Sequence, residues 1–68
     1  MKFELKAFRD DKAQPLVVEE VNDINDALTQ SNKIAAKHHL GAFLFPSLGH
    51  SANLYENGII YVSPITEG

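Results

Sequence analysis

The first residues of the chain alternate between apolar and polar side chains with a period of two. Over residues 2–9, KFELKAFR, one side of an extended chain carries Phe3, Leu5 and Ala7. The other side carries charged residues, with Phe8 as its one apolar member. This alternation predicts a half-buried β-strand.

A second, β-branched run follows at residues 16–21, LVVEEV, after a polar connection. Pro15, just before it, has no N–H to donate and suits the start of an edge strand. The two runs together predict an N-terminal β-hairpin.

The period then changes to that of a helix, in the segment that ends near Gly41. Asn22 or Asp23 can cap its first turn, and Gly41 supplies the left-handed residue that ends many helices. At about 100° per residue, one face of this helix collects Ile24, Ala27, Leu28, Ser31, Ile34, Ala35 and His38.

The last third of the chain is apolar and β-rich. Residues 42–45, AFLF, predict a short strand that Pro46 closes. Asn57 and Gly58 separate two further apolar runs and favour a two-residue type I′ hairpin, because both residues tolerate positive φ. We therefore expect an α+β fold over a single domain, residues 1–68, with a single helix packed on a mostly antiparallel sheet in the order β-β-α-β-β-β.

The predicted C-terminal hairpin is apolar on both faces. A loop at Asn57 and Gly58 would place Tyr55 opposite Ile60 and Leu54 opposite Tyr61. One face would then carry Tyr55, Ile60 and Val62, and the other Ala52, Leu54, Ile59, Tyr61 and Ile65. The AFLF strand repeats this feature, with Phe43 and Phe45 on one side and Ala42 and Leu44 on the other.

A lone helix covers only one face of a sheet, so the second apolar face needs another cover. We expect a second subunit, in a homodimer or with another protein. The alternative is cover within the chain, by a curled sheet or by the C-terminal residues. The predicted interaction surface comprises Leu54, Ile59, Tyr61, Phe43 and Phe45.

Composition and charge limit the classes of partner. The chain has 68 residues, no cysteine and a formal charge of −3, and its six basic residues all lie within the first 37 positions. Exposed sheet aromatics can stack nucleic-acid bases, but the chain neighbours of these aromatics include no Lys or Arg, so nucleic-acid binding is not favoured. No apolar run approaches the roughly 18 residues of a membrane span. The cysteine-free sequence fits a reducing compartment, and we expect a cytoplasmic protein.

The segment 37–50, KHHLGAFLFPSLGH, holds all three histidines. A zinc site would draw on His38, His39 and His50, but His38 and His39 point about 100° apart on a helix and cannot readily share one ion. His39 and His50 would then lack a third ligand unless the fold recruits a carboxylate such as Glu56. A histidine near a helix C-terminus is also explained by the helix dipole. Ser47, His50 and Ser51 do not form a recognisable nucleophile motif. We expect no catalytic residues, no cofactor and no enzyme.

The sequence therefore predicts a small protein–protein interaction or regulatory module that self-associates through its C-terminal β-hairpin. Two alternatives stay open: a small-ligand or metal-binding module using the histidines near the helix end, and nucleic-acid binding through sheet aromatics. Small chains with one helix on a sheet occur among bacterial and phage open reading frames, a likeness of fold that carries no function.

Overall fold

A computed structural model describes residues 2–46 and 52–65 of the chain. Within these ranges it has one helix and a five-stranded antiparallel sheet, which confirms the α+β class and the predicted order of elements. No helix in these ranges is long and apolar enough to cross a lipid bilayer. The elements are β1 (Phe3–Arg9), β2 (Val17–Val21), α1 (Ile24–Lys37), β3 (Phe43–Pro46), β4 (Ala52–Tyr55) and β5 (Gly58–Pro64).

The sheet has the strand order β2-β1-β5-β4-β3, and its middle strand is β5. The pairing of β1 with β2 confirms the predicted N-terminal hairpin, and β2 is an edge strand, as Pro15 indicated. Strand β1 pairs with β5 along its whole length, from Phe3 opposite Pro64 to Arg9 opposite Gly58. The first and last strands of the chain therefore lie side by side.

Helix α1 packs on one side of the sheet, mainly over β1 and β2. We call the opposite side of the sheet the open face. The buried hydrophobic core lies between the helix and the sheet and consists of Leu5, Ala7, Val21, Ala27, Ile34, Ala35, Leu40, Tyr55, Ile60 and Val62.

The helix begins as the sequence predicts. Asp23 is the N-cap, and its carboxylate accepts a hydrogen bond from the Asp26 N–H at 2.9 Å. Its buried residues, Ala27, Ser31, Ile34 and Ala35, all belong to the predicted face. The same face was expected to bury Ile24 and Leu28, but these are 49 % and 47 % exposed. Leu28 lies at the border of the buried stripe, and Ile24 is the first residue of the helix.

The helix ends differently from the prediction. Its C-cap is His38, and His39 follows with a φ of 58°, in the left-handed region. The Leu40 N–H then donates to the carbonyl of Ala35 at 2.9 Å, the bond that closes a Schellman motif. The left-handed role assigned to Gly41 therefore belongs to His39. Gly41 has its own positive φ of 88°, two residues later.

The turn between β4 and β5 is also shifted from its predicted place. Tyr55 lies opposite Gly58, and Leu54 lies opposite Ile59, so the two turn residues are Glu56 and Asn57. Three main-chain hydrogen bonds anchor this turn: Glu56 N–H to Ala42, Asn57 N–H to Leu40, and Asp10 N–H to Asn57. The predicted register is wrong by two residues, because contacts from distant segments outweigh the local preference of Asn57 and Gly58.

Candidate interaction surface

A row of apolar residues crosses the open face at one end of the strands. Phe8 of β1 is in register with Ile59 of β5, and Ile59 is in register with Leu54 of β4. In β3, Phe45 is in register with Leu54. Tyr61 lies two residues along β5 from Ile59. We call the set of Phe8, Leu54, Ile59 and Tyr61 the apolar end of the open face.

The apolar end is only partly shielded from solvent. Tyr61 is 45 % exposed, and Phe8, Leu54 and Ile59 are half-buried. The rings of Phe8 and Tyr61 meet edge to face, with centroids 5.6 Å apart. By contrast, Tyr55, Ile60 and Val62 lie in the core against the helix. The predicted division of the hairpin into two apolar faces is therefore confirmed, because a shift of two residues keeps every side chain on its own face.

Beyond the apolar end the open face carries mostly charged residues, together with Val18, which is 52 % exposed and in register with Lys6. Lys6 is in register with Tyr61, and Glu4 is in register with Glu20 of β2. The Lys6 ammonium lies 3.7 Å from the Glu4 carboxylate. The Lys2 carbonyl accepts from the Ile65 N–H at 2.9 Å, which extends the ladder and places Lys2 on the same side by alternation. We call Lys2, Glu4, Lys6 and Glu20 the charged end.

The sheet places a basic residue, Lys6, beside one of the C-terminal aromatic residues. Along the chain the C-terminal aromatics have no basic neighbour, but the sheet brings Lys6 opposite Tyr61. Phe8 was also missing from the predicted surface. Its signal was present in the sequence, since it is the one apolar residue on the polar side of β1.

The structure brings together three of the five predicted surface residues, Leu54, Ile59 and Tyr61, and sets Phe45 in register beside them. Phe43 is in register with Tyr55, and their rings meet edge to face at 5.4 Å on the helix side of the sheet. The register shifts between Phe43 and Phe45, which interrupts the alternation on which their predicted common side depended.

Tyr55 has a structural place on the covered side of the sheet. Its hydroxyl donates to Oδ1 of Asn32 at 2.8 Å and so ties β4 to the helix. Burial disfavours the charged phenolate and raises the pKa of Tyr55 to about 12. This hydroxyl therefore stays protonated at ordinary pH.

The histidines take positions at the end of the helix. His38 is half-buried. Its backbone N–H donates to the Ile34 carbonyl, and its backbone carbonyl accepts from the Arg9 guanidinium. His39 is exposed. His50 lies outside the described residues. Among residues 2–46 and 52–65, no group of three His, Cys, Asp or Glu side chains is placed to hold a metal ion.

An open groove of about 460 Å³ runs between β2 and the start of the helix. Five of its six lining residues are polar: Glu19, Glu20, Asn22, Asp26 and Gln30, with Val21 as the sixth. Small-molecule sites are mostly apolar with a few convergent polar groups, so this groove differs from a typical ligand pocket.

The apolar end thus stands out as the candidate interaction surface. Comparison of the chain with protein-family models, curated proteins and solved structures gives no match.

Proposed function

We propose that this chain is a protein–protein interaction module that self-associates through its open face and acts by binding rather than catalysis. The observation that supports this proposal is the solvent exposure of the apolar end on the side of the sheet away from the helix. The cysteine-free sequence is consistent with action in a reducing compartment such as the cytoplasm.

The exposed apolar area is large for so small a domain. A tyrosine side chain buries about 200 Å², so the 45 % exposed part of Tyr61 is about 90 Å². At about 25 cal/mol per Å², covering it contributes ~2 kcal/mol. Marginal domains have a free energy of unfolding of only ~5 kcal/mol. Covering the apolar end would therefore add substantially to the stability of the folded state.

The dimensions of the open face suit a dimer. The five strands have 27 residues between them, so at ~4.8 Å spacing and ~3.3 Å per residue the flat outline of the face is about 430 Å². A face of side chains has more accessible area than its flat outline, so this surface approaches the ~600 Å² per partner at the low end of standard interfaces.

The strand edges are less suited to association than the face. Edge strand β3 has a bulge after Phe43 and ends at Pro46, and edge strand β2 carries Glu19 and Glu20. Bulges, prolines and charges on edge strands all oppose the addition of another strand. These features favour face-to-face packing.

Light scattering coupled to size exclusion tests the proposal from micromolar to millimolar concentration. We expect the wild-type mass to approach twice the chain mass, and Tyr61→Lys to weaken association at least about tenfold, since it places a charge in the apolar end. Leu28→Lys is the matched control: Leu28 is 47 % exposed, but on the helix. A wild-type monomer at every concentration, or equal effects of the two variants, would contradict the proposal.

Single-stranded nucleic acid is a second candidate partner, favoured by Lys6 opposite Tyr61 on a face that also carries Phe8. It is the weaker candidate, because Glu4 lies 3.7 Å from Lys6 and offsets its charge. This reading expects oligonucleotides to quench tyrosine fluorescence, with an affinity that falls steeply with salt. If oligonucleotides do not quench tyrosine fluorescence at low salt, nucleic-acid binding is contradicted.

A further inference from the structure

The charge of the open face differs from that of the whole chain. The chain carries a formal charge of −3. The charged end balances two lysines, Lys2 and Lys6, against two glutamates, Glu4 and Glu20. The connection between β1 and β2 adds further charges beyond the apolar end, at Asp10, Asp11 and Lys12. The excess of acidic residues therefore lies outside the charged end.

This balance suits a second copy of the chain more than a strongly charged partner. Two copies of charge −3 repel each other at long range, but two balanced faces meet without net repulsion. A very basic or very acidic partner would gain no attraction from a face whose charges cancel. A partner with the same net charge as the chain, such as a second copy, depends most on a contact face without net charge.

Orientation follows from where the apolar end lies. Among face-to-face arrangements with full overlap, a two-fold axis parallel to the strands superposes the two apolar ends. An axis across the strands would instead place the apolar end of each copy over the charged end of the other, where Glu4 and Glu20 would lose solvation against apolar side chains. Sheets that pack face to face keep their strands nearly aligned and lie about 10 Å apart.

We infer, resting on the proposed self-association, that two copies pack their open faces with the apolar ends superposed, so that β1 of each copy lies over β4 of the other, and that Lys6 maintains the charge balance that permits this. Lys6 suits the role because it is exposed and directly adjoins Tyr61 across the strand pair. Replacing it by an acid turns each balanced charged end into one of charge −2.

Charge variants test the balance. Lys6→Glu should raise the dissociation constant about tenfold or more at low salt, and less at high salt, because exposed charges are screened. Lys33→Glu is the matched control, since it changes the net charge equally from an exposed position on the helix. The double variant Lys6→Glu with Glu4→Lys restores the balance and should associate like the wild type. Circular dichroism melts verify that each variant folds.

A single cysteine tests the orientation, because the wild-type chain has none. Ser63 is exposed on β5, the middle strand, and pairs with Glu4 at the charged end. With apolar ends superposed, Ser63→Cys of one copy faces its counterpart, within reach of a bismaleimide linker about 10 Å long. With the two-fold axis across the strands, the two cysteines at position 63 would also lie about 13 Å apart along the strand direction. Ala36→Cys, exposed on the helix, is the control.

The outcomes separate the two proposals. A wild-type chain that stays monomeric overturns both the self-association and its geometry. A wild-type dimer that Tyr61→Lys dissociates, but that Lys6→Glu and Lys33→Glu affect equally, overturns the charge balance and leaves the self-association standing. A dimer in which Ser63→Cys fails to cross-link faster than Ala36→Cys overturns the orientation. Selective weakening by Lys6→Glu, rescue by the double variant and cross-linking at Ser63 support the inference.

Discussion

Gly58 begins β5 at a point where the main chain of β1 leaves no room for a side chain. A Cβ atom at Gly58 would lie 2.3 Å from the carbonyl oxygen of Phe8 and 2.8 Å from Cδ2 of Leu40. Real Cβ atoms essentially never approach a neighbour below 3.0 Å, so the Phe8 carbonyl would have to retreat by roughly 0.7 Å. That carbonyl belongs to a strand paired on both sides, so it cannot move alone.

The cost of adding one methyl group follows from this geometry. Overpacking costs about 1–3 kcal/mol, and distorting a strand hydrogen bond costs about 1 kcal/mol more. We expect Gly58→Ala to lower the free energy of unfolding by about 3 kcal/mol, more than half of the ~5 kcal/mol of a marginal domain. At roughly 4–8 °C per kcal/mol, the melting temperature should fall by about 12–24 °C.

Gly58→Asn distinguishes two explanations for glycine at this position: the need for a positive φ, and the lack of space for a Cβ atom. In the type I′ turn that the sequence favours, Gly58 would need positive φ, which asparagine tolerates. In the structure Gly58 does not have positive φ and is limited by space, so asparagine should be at least as damaging as alanine. Urea and thermal unfolding at one fixed protein concentration measure both variants, because association raises apparent stability. If Gly58→Asn keeps wild-type stability while Gly58→Ala loses it, the steric explanation and the register are both refuted.

Two further expectations concern the helix and its link to the sheet. His39→Gly should raise the free energy of unfolding measured in urea by about 1 kcal/mol, since glycine adopts left-handed φ without strain. Lys37→Gly, inside the helix, should lower the free energy of unfolding by about as much. Changes of the same sign in the two variants would contradict the left-handed conformation of His39. Tyr55→Phe should cost about 1 kcal/mol by removing the hydrogen bond to Asn32. Folded Tyr55 holds its proton up to a pKa of about 12 and the unfolded chain only to 10.0, so this stabilisation is complete below pH 10.0 and is lost as the pH rises through 12. Melts from pH 9 to pH 12 should therefore fall more steeply for the wild type than for Tyr55→Phe, and parallel curves would contradict the pKa.

The elements with strong periodicity could be predicted from the sequence alone. Strand β1 and helix α1 each show one clear period, and Asp23 caps the helix as its position indicates. The exposure of Ile24 and Leu28 could not be predicted in the same way. Periodicity defines which residues share a face, but the width of the buried stripe depends on where the helix sits over the sheet.

The position of the β4–β5 turn depends on hydrogen bonds to residues that are distant in the chain. Asn57 and Gly58 favour one register locally, but the carbonyls of Leu40 and Ala42 hold the turn in another. The register also shifts between Phe43 and Phe45, and nothing in AFLF signals this shift. The helix end is similar, because His39 takes the left-handed position that Gly41 would occupy at less strain. At the β4–β5 turn, tertiary contacts outweigh the local preference.

The candidate surface combines a part that the sequence predicts with a part that only the sheet creates. The two apolar faces of the hairpin follow from alternation, which survives a shift of two residues, so Leu54 and Tyr61 could be assigned to one side in advance. The charged end could not, because Lys6 is 55 positions from Tyr61 in the chain and adjoins it only once β1 pairs with β5. A surface built from the hairpin alone would bind any apolar partner of matching shape. With β1 beside it, the same surface has a charged border. Under the proposed self-association, we therefore expect Lys6→Glu to discriminate between partners more sharply than the loss of an apolar side chain.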